Sequence, residues 1–255
     1  VTPAPTALLR RVAAEFAGSA ALTAMVVGSG IAATGLSDDV GVQLLINAIA
    51  TAFGLFVLIT VLGSISGAHF NPVVSLVDLA FGYRGARDIA PYIGAQILGC
   101  VTGSVLANIM FDLPPVTFST TDRITPGHLI AEVVATAGLV AVIFILARSG
   151  RSAWAAGAVA AYIGSAYFFT SSTSFANPAI TIGRMFSDTF AGIAPASAPL
   201  FIAAQLLGAA LGWAGVRLLT PRHTPTSSAA RFTAHSPPLT KILPTPTANH
   251  PEAPT

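Results

Sequence analysis

The apolar residues of this chain fall in runs too long for a buried core. Residues 12–34 contain one charge, Glu15, and 42–62 contain none. Residues 89–111 are uncharged, 128–147 carry only Glu132, and 153–171 and 193–216 carry no charge. A membrane span needs about 20 predominantly apolar residues, so the pattern predicts six transmembrane helices in an all-α membrane protein. The first run follows Arg10 and Arg11 in the manner of a signal peptide. Its length, its Gly and Ala content and the spans that follow favour a first transmembrane helix instead.

Composition agrees with this reading. Of 255 residues 53% are hydrophobic and 9% charged, against roughly 25% charged in soluble domains. Arg10, Arg11, Arg84, Arg87, Arg148, Arg151, Arg217, Arg222, Arg231 and Lys241 alternate with the spans so that they share one side, leaving Arg123 and Arg184 opposite. The positive-inside rule then predicts cytoplasmic N- and C-termini. The net charge of +2 bears on topology and gives no reason to expect a nucleic-acid partner. Cys100 lies mid-span and reads as small apolar packing. Residues 221–255 hold eight prolines among Thr, Ser and Ala, which predicts a disordered cytoplasmic tail.

The chain repeats itself. Glu15 in RRVAAEFAGSAAL matches Glu132 in HLIAEVVATAGLV; YIGAQILGCVTGS at 92–104 matches FIAAQLLGAALGW at 201–213, aligning Gln96 with Gln205 and Gly99 with Gly208. An Asn-Pro pair follows the second span of each half. Three spans per half invert the second repeat, placing a pseudo-two-fold axis in the membrane plane. The expected channel domain is 1–220, with repeats 8–111 and 126–219. Gly94, Gly99, Gly103, Gly208 and Gly212 permit close helix contact, within a subunit or between subunits.

Each Asn-Pro pair precedes an apolar stretch too short to cross: PVVSLVDLAFG after Asn71 and PAITIGRMFSD after Asn177. Pro is favoured at the first helical position and Asn as its cap, which predicts two re-entrant half-helices over 72–80 and 178–186. The pore midplane is then Asn71, Pro72, Val73, Asn177, Pro178 and Ala179, with two positive dipole ends meeting there. Neutral polar solutes would accept hydrogen bonds from the free amides, while cations and protons meet an unfavourable potential.

SGAHFNPVV at 66–74 and SFANPAIT at 174–181 resemble the two signatures of the major intrinsic protein family, the aquaporins and aquaglyceroporins, and EFAG at 15–18 and AFGL at 52–55 also fit. The resemblance spans roughly residues 8 to 219. It implies a homotetramer in the cell membrane, one pore per subunit, conducting water, glycerol or related uncharged solutes, in some members neutral arsenite, without cofactor or catalysis. Asn71 and Asn177 correspond to the paired asparagines, and Glu15 and Glu132 to glutamates that tie down the re-entrant loops. His69 resembles a residue lining the cytoplasmic side, or else it is satisfied packing.

One departure changes the solute question. Familiar members place arginine after the second Asn-Pro-Ala; here the residue is Ile180. Arg184, one turn later, either substitutes for it or snorkels to headgroups. Ser174 matches a constriction position in the loop, and counting back twelve from Asn177 gives Ser165. On the second span AFGL suggests Phe53, whereas counting back from Asn71 gives Thr51. A ring of Phe53, Ser165, Ser174 and Ile180 would be amphipathic and suit solutes larger than water, such as glycerol, urea or undissociated arsenite. A stricter water channel, a secondary transporter and a sealed adhesive tetramer are the alternatives. No catalytic constellation is apparent, and His128, His223, His235 and His250 lack metal-ligand spacing.

Overall fold

The computed structural model describes residues 7–220; the expected tail lies outside them. Eight α-helices and no strand occur among the described residues: α1 Leu8–Leu36, α2 Val40–Ser66, α3 Pro72–Ala80, α4 Ala86–Met110, α5 Pro126–Arg148, α6 Ala155–Phe169, α7 Pro178–Gly183 and α8 Ala198–Leu219. Six occupy the six apolar runs. Five of these are long and apolar enough to cross a membrane. The remaining one, α6, has 15 residues after a 3₁₀ turn at Ser152–Trp154, about 22 Å of helix. The last run begins as irregular backbone and becomes helical only at Ala198.

Local chemistry explains the boundaries. Asp39 caps α2 by accepting from the Val42 N–H at 3.0 Å, and Thr125 caps α5 from His128 at 3.1 Å with Pro126 following. Gly67 ends α2 at φ 97°, a left-handed conformation that costs glycine little. The two short helices begin alike: Asn71 and Asn177 are caps, and proline follows each. After α7 a 3₁₀ turn, Arg184–Phe186, extends the element to the expected end at 186.

Packing follows the repeat. The main contacts are α1 on α4 in the first half and α5 on α8 in the second, while α2 meets α6 across the halves. Glycine sets the distance. A Cβ on Gly99 would lie 2.4 Å from the Phe16 carbonyl oxygen, and on Gly103 2.2 Å from that of Ala20. On Gly208 and Gly212 it would meet the Val133 and Ala137 carbonyls at 2.5 and 2.7 Å. These four therefore serve contacts inside one subunit, whereas a Cβ on Gly94 would meet no other side chain or helix within 4 Å among the described residues. The half-helices lie between α4 and α8. Val73, Val74 and Val77 of α3 pack on Val140, Phe144, Ala209 and Val216 of the opposite repeat.

Gly103→Ala and Gly208→Ala are expected to lower the thermal transition in detergent by roughly 5–10 °C, since the new methyl meets backbone and overpacking costs about 1–3 kcal/mol or more. Gly94→Ala should leave the transition unchanged or slightly raised. Scanning fluorimetry of the three variants checks this.

Candidate functional site

Two carboxylates inside the helix bundle organise the loops that precede the half-helices. Glu15, on α1, accepts from the His69 N–H at 3.0 Å, the Phe70 N–H at 2.7 Å, Ser66 Oγ at 2.6 Å and Gln96 Nε2 at 2.8 Å. Glu132, on α5, accepts from the Phe175 and Ala176 N–H groups at 2.9 Å, Ser172 Oγ at 2.6 Å and Gln205 Nε2 at 2.7 Å. Both residues are fully buried. The glutamines also reach the half-helices, Gln96 bonding Ser75 Oγ at 3.0 Å and Gln205 bonding Thr181 Oγ1 at 2.9 Å. Each carboxylate thus satisfies two backbone donors that would otherwise be buried without partners, at about 1–3 kcal/mol each.

That restraint holds the loops in a costly conformation. Ala68 and Phe70 have φ of 51° and 49°; Ser174 and Ala176, at the same distances before the second asparagine, have 52° and 47°. Non-glycine residues in this region cost roughly 1–2 kcal/mol each. The turn points the Phe70 and Ala176 carbonyls across the molecule. Asn71 Nδ2 donates to the Ala176 oxygen and Asn177 Nδ2 to the Phe70 oxygen, both at 2.8 Å. The amide oxygens turn back and cap their own helices, at 3.1 Å to Val73 N and 2.9 Å to Ala179 N. One N–H of each amide remains. Pro72, Val73, Pro178 and Ala179 are buried in the first turns behind the asparagines.

The two ends differ in charge. Near the α3 loop, Arg84 bonds Asp78 at 3.0 Å, the Tyr92 hydroxyl at 2.8 Å and the Ser66 carbonyl at 2.9 Å. His69 meets Ser75 Oγ at 3.0 Å through Nδ1 and packs edge-on to Tyr92. Near the α7 loop the corresponding aromatic pair is Phe175 and Phe201. Where the first repeat has Asp78, the second has Arg184. The Arg184 side chain is only 3% exposed; its Nε donates to the Ala191 carbonyl and its guanidinium lies over Phe175. It is folded inward, not extended toward headgroups.

Two residues of the expected constriction lie away from the buried faces of their helices. Phe53 is 70% exposed, on the face of α2 opposite Thr51, which is 3% exposed. At 100° per residue two positions apart cannot share a helix face. Ser165 is also exposed and bonds only the Tyr162 carbonyl of its own helix, at 2.8 Å. The inward face of α6 is Ile163, Ala166 and Tyr167. Tyr167 was missed in the sequence. Its hydroxyl lies 3.0 Å from Thr51 Oγ1. Ile180 and Ser174 are buried on α7 and its loop, Ser174 Oγ having no protein partner among the described residues. Ser66 and Ser172 were also missed, although each stands five residues before its asparagine.

The comparisons with known proteins agree with this architecture. Residues 4–175 match the family model described as major intrinsic protein. An aquaglyceroporin of Rhizobium meliloti is 48% identical over 214 residues, 83% of this chain and 91% of its own length. Aquaporin Z of Brucella melitensis is 31% identical over 231 residues, covering 82% of this chain and 98% of itself. Glycerol uptake facilitator protein of Pseudomonas aeruginosa is 29% identical over 269 residues, covering 89% and 95%. Among solved structures, the aquaglyceroporin from Plasmodium falciparum superposes with a TM-score of 0.61 at 21% identity, over 82% of this chain and 95% of that one.

Glu132→Ala removes the acceptor for two buried N–H groups, and the thermal transition is expected to fall by roughly 5–15 °C. Hydrogen exchange at Phe175 and Ala176 should quicken. Ser172→Ala, which keeps both backbone bonds, should produce a much smaller fall in the same two measurements.

Proposed function

Because the chain belongs to the major intrinsic protein family, we propose that its half-helices meet head to head around one pore wide enough for small polar solutes beyond water. The protein is a multi-pass membrane channel, passive and without catalysis. The reciprocal pair made by Asn71 and Asn177 carries the reading. Each leaves one N–H for a passing oxygen, and each stands at the positive end of a helix dipole. The carbonyls of residues 67–69 and 173–175 receive no protein hydrogen bond among the described residues, and such groups at membrane depth call for water.

Thr51, Tyr167, Ser174 and Ile180 form the proposed constriction, with Arg184 in place of the missing filter arginine. Its guanidinium returns from one turn farther along and still opposes cations. Ile180 leaves an apolar wall opposite hydroxyls, a surface matched to a polyol. Glycerol, which the Pseudomonas aeruginosa relative is named for taking up, and water are the first solutes to test, then urea and undissociated arsenite. Glu15, Glu132 and His69 hold the loops and the inner mouth.

Topology and assembly complete the proposal: both termini cytoplasmic, and a homotetramer with a pore in each subunit. Arginine distribution supports the first. The outward face of α2, where Phe53, Phe56, Val57 and Val61 are exposed, supports contact with lipid or a neighbouring copy.

Stopped-flow measurements on proteoliposomes should give glycerol and water permeability well above empty vesicles; absence of both in well-inserted protein sinks the channel reading. Thr51→Phe and Ile180→Arg are expected to lower glycerol permeability roughly tenfold more than that of water, because a wider solute loses more from a narrower ring. Phe53→Ala should change neither. Equal loss of water and glycerol in both narrowing variants counts against the proposed ring.

A further inference from the structure

The outer mouth holds more positive charge than the exclusion of cations requires. Arg184 spends one donor on the Ala191 carbonyl, and its two terminal nitrogens have no protein acceptor among the described residues. Arg123, in the loop before α5, donates from Nε to the Gly192 carbonyl at 2.7 Å and from Nη2 to the Phe190 carbonyl at 3.2 Å. Its Nη1 is left over. Both guanidinium carbons face the Phe175 ring, at 3.4 Å from its centre for Arg184 and 5.2 Å for Arg123.

Neither arginine has a carboxylate within ion-pair distance among the described residues. Of the acidic side chains of the flanking loops, Asp122 and Asp188 bond elsewhere, and Asp112 makes no ion pair with either arginine among the described residues. Asp122 accepts from Ser197 Oγ at 2.7 Å and from the Ile124 N–H at 2.9 Å; Asp188 accepts from the Thr120 N–H at 2.9 Å. The Glu132 oxygens are taken by the loop and Gln205. The inner mouth has the opposite solution, since Asp78 and Asp88 there neutralise Arg84 and Arg11.

Two like charges facing one ring, Arg184 buried and Arg123 half-buried, with donors to spare, favour a counter-ion. Carbonyl oxygens satisfy hydrogen bonds without cancelling charge. A neutral solute can take one of the free N–H groups but cannot offset the charge, so it leaves readily. An oxyanion does both, and the fixed fork of a guanidinium matches paired oxygens better than a halide.

We infer that the outer mouth binds a small dissolved oxyanion, of the phosphate or carboxylate class, on the free edge of Arg184 with Arg123 supplying the second charge, and that the bound ion obstructs neutral solutes. The obstruction rests on the reading of Arg184 as a wall of the pore; the binding does not.

The probe is inorganic phosphate, compared with chloride at matched ionic strength and pH. Glycerol uptake into zwitterionic proteoliposomes is expected to fall at least two-fold as external phosphate rises, with no fall in chloride. Arg123→Gln, normalised to its own phosphate-free uptake, should need roughly tenfold more phosphate, as expected for one lost charge-assisted contact. In parallel, phosphate should raise the thermal transition of the detergent-solubilised protein, a readout that needs no transport, and raise it less in Arg123→Gln. Normal uptake that phosphate neither slows nor accompanies with a thermal shift overturns the anion site and leaves the channel standing. A phosphate-dependent thermal shift without glycerol uptake supports the site and sinks the channel. Identical phosphate responses in wild type and Arg123→Gln overturn the proposal. Anionic lipid in the vesicles should leave the phosphate response unchanged, and loss of the response there would reassign the site to headgroups and overturn the dissolved ion.

Discussion

Two buried carboxylates, each accepting two backbone N–H groups, are the restraint on which the rest depends. An ionised side chain within a membrane span is costly unless fully partnered. Here each has four donors, two of them from a loop that would not otherwise keep its shape. Left-handed residues at positions 68, 70, 174 and 176 persist because the carboxylates hold the N–H groups on one side. That leaves the carbonyls on the other. The asparagines then cross-link the two loops, and their positions follow from the glutamates two helices away.

The repeats agree wherever the backbone must be held and part beyond the first turns of the half-helices. Gln96 and Gln205, Ser66 and Ser172, Ser75 and Thr181 do equivalent work in the two halves. Past the first turn of each half-helix the equivalence ends. Asp78 belongs to a compensated cluster with Arg84, while Arg184 joins Arg123 against an aromatic ring. A symmetric frame thus carries an asymmetric potential.

Much of this was legible because polar residues in apolar runs are expensive and so are informative. Glu15, Glu132 and the two Asn-Pro pairs stood out on that ground, and their common order exposed the inverted repeat. The proposed constriction was less legible. Phe53 and Ser165 came from family likeness and from counting through loops whose path is irregular, whereas the inward faces of α2 and α6 are set by rotation along each helix. Reading α6 by its buried stripe of Ile163, Ala166 and Tyr167 would have favoured the tyrosine. The spacing of Arg184 left an inward fold and a snorkelling one both open, since the choice depends on the Ala191 carbonyl, which reaches the guanidinium only through the return of the chain after α7.

The burial of α3 has an implication for how the protein is made. Its valines rest on side chains of α5 and α8, the latter among the last parts of the domain to leave the ribosome. Until then this half-helix, with its cap amide reaching for a carbonyl a hundred residues downstream, lacks its native cover. The first three spans can therefore enter the bilayer early, but α3 gains its native cover only once the final helix has been made. Insertion and maturation are thus separate events in this fold, divided by the time needed to synthesise its second half.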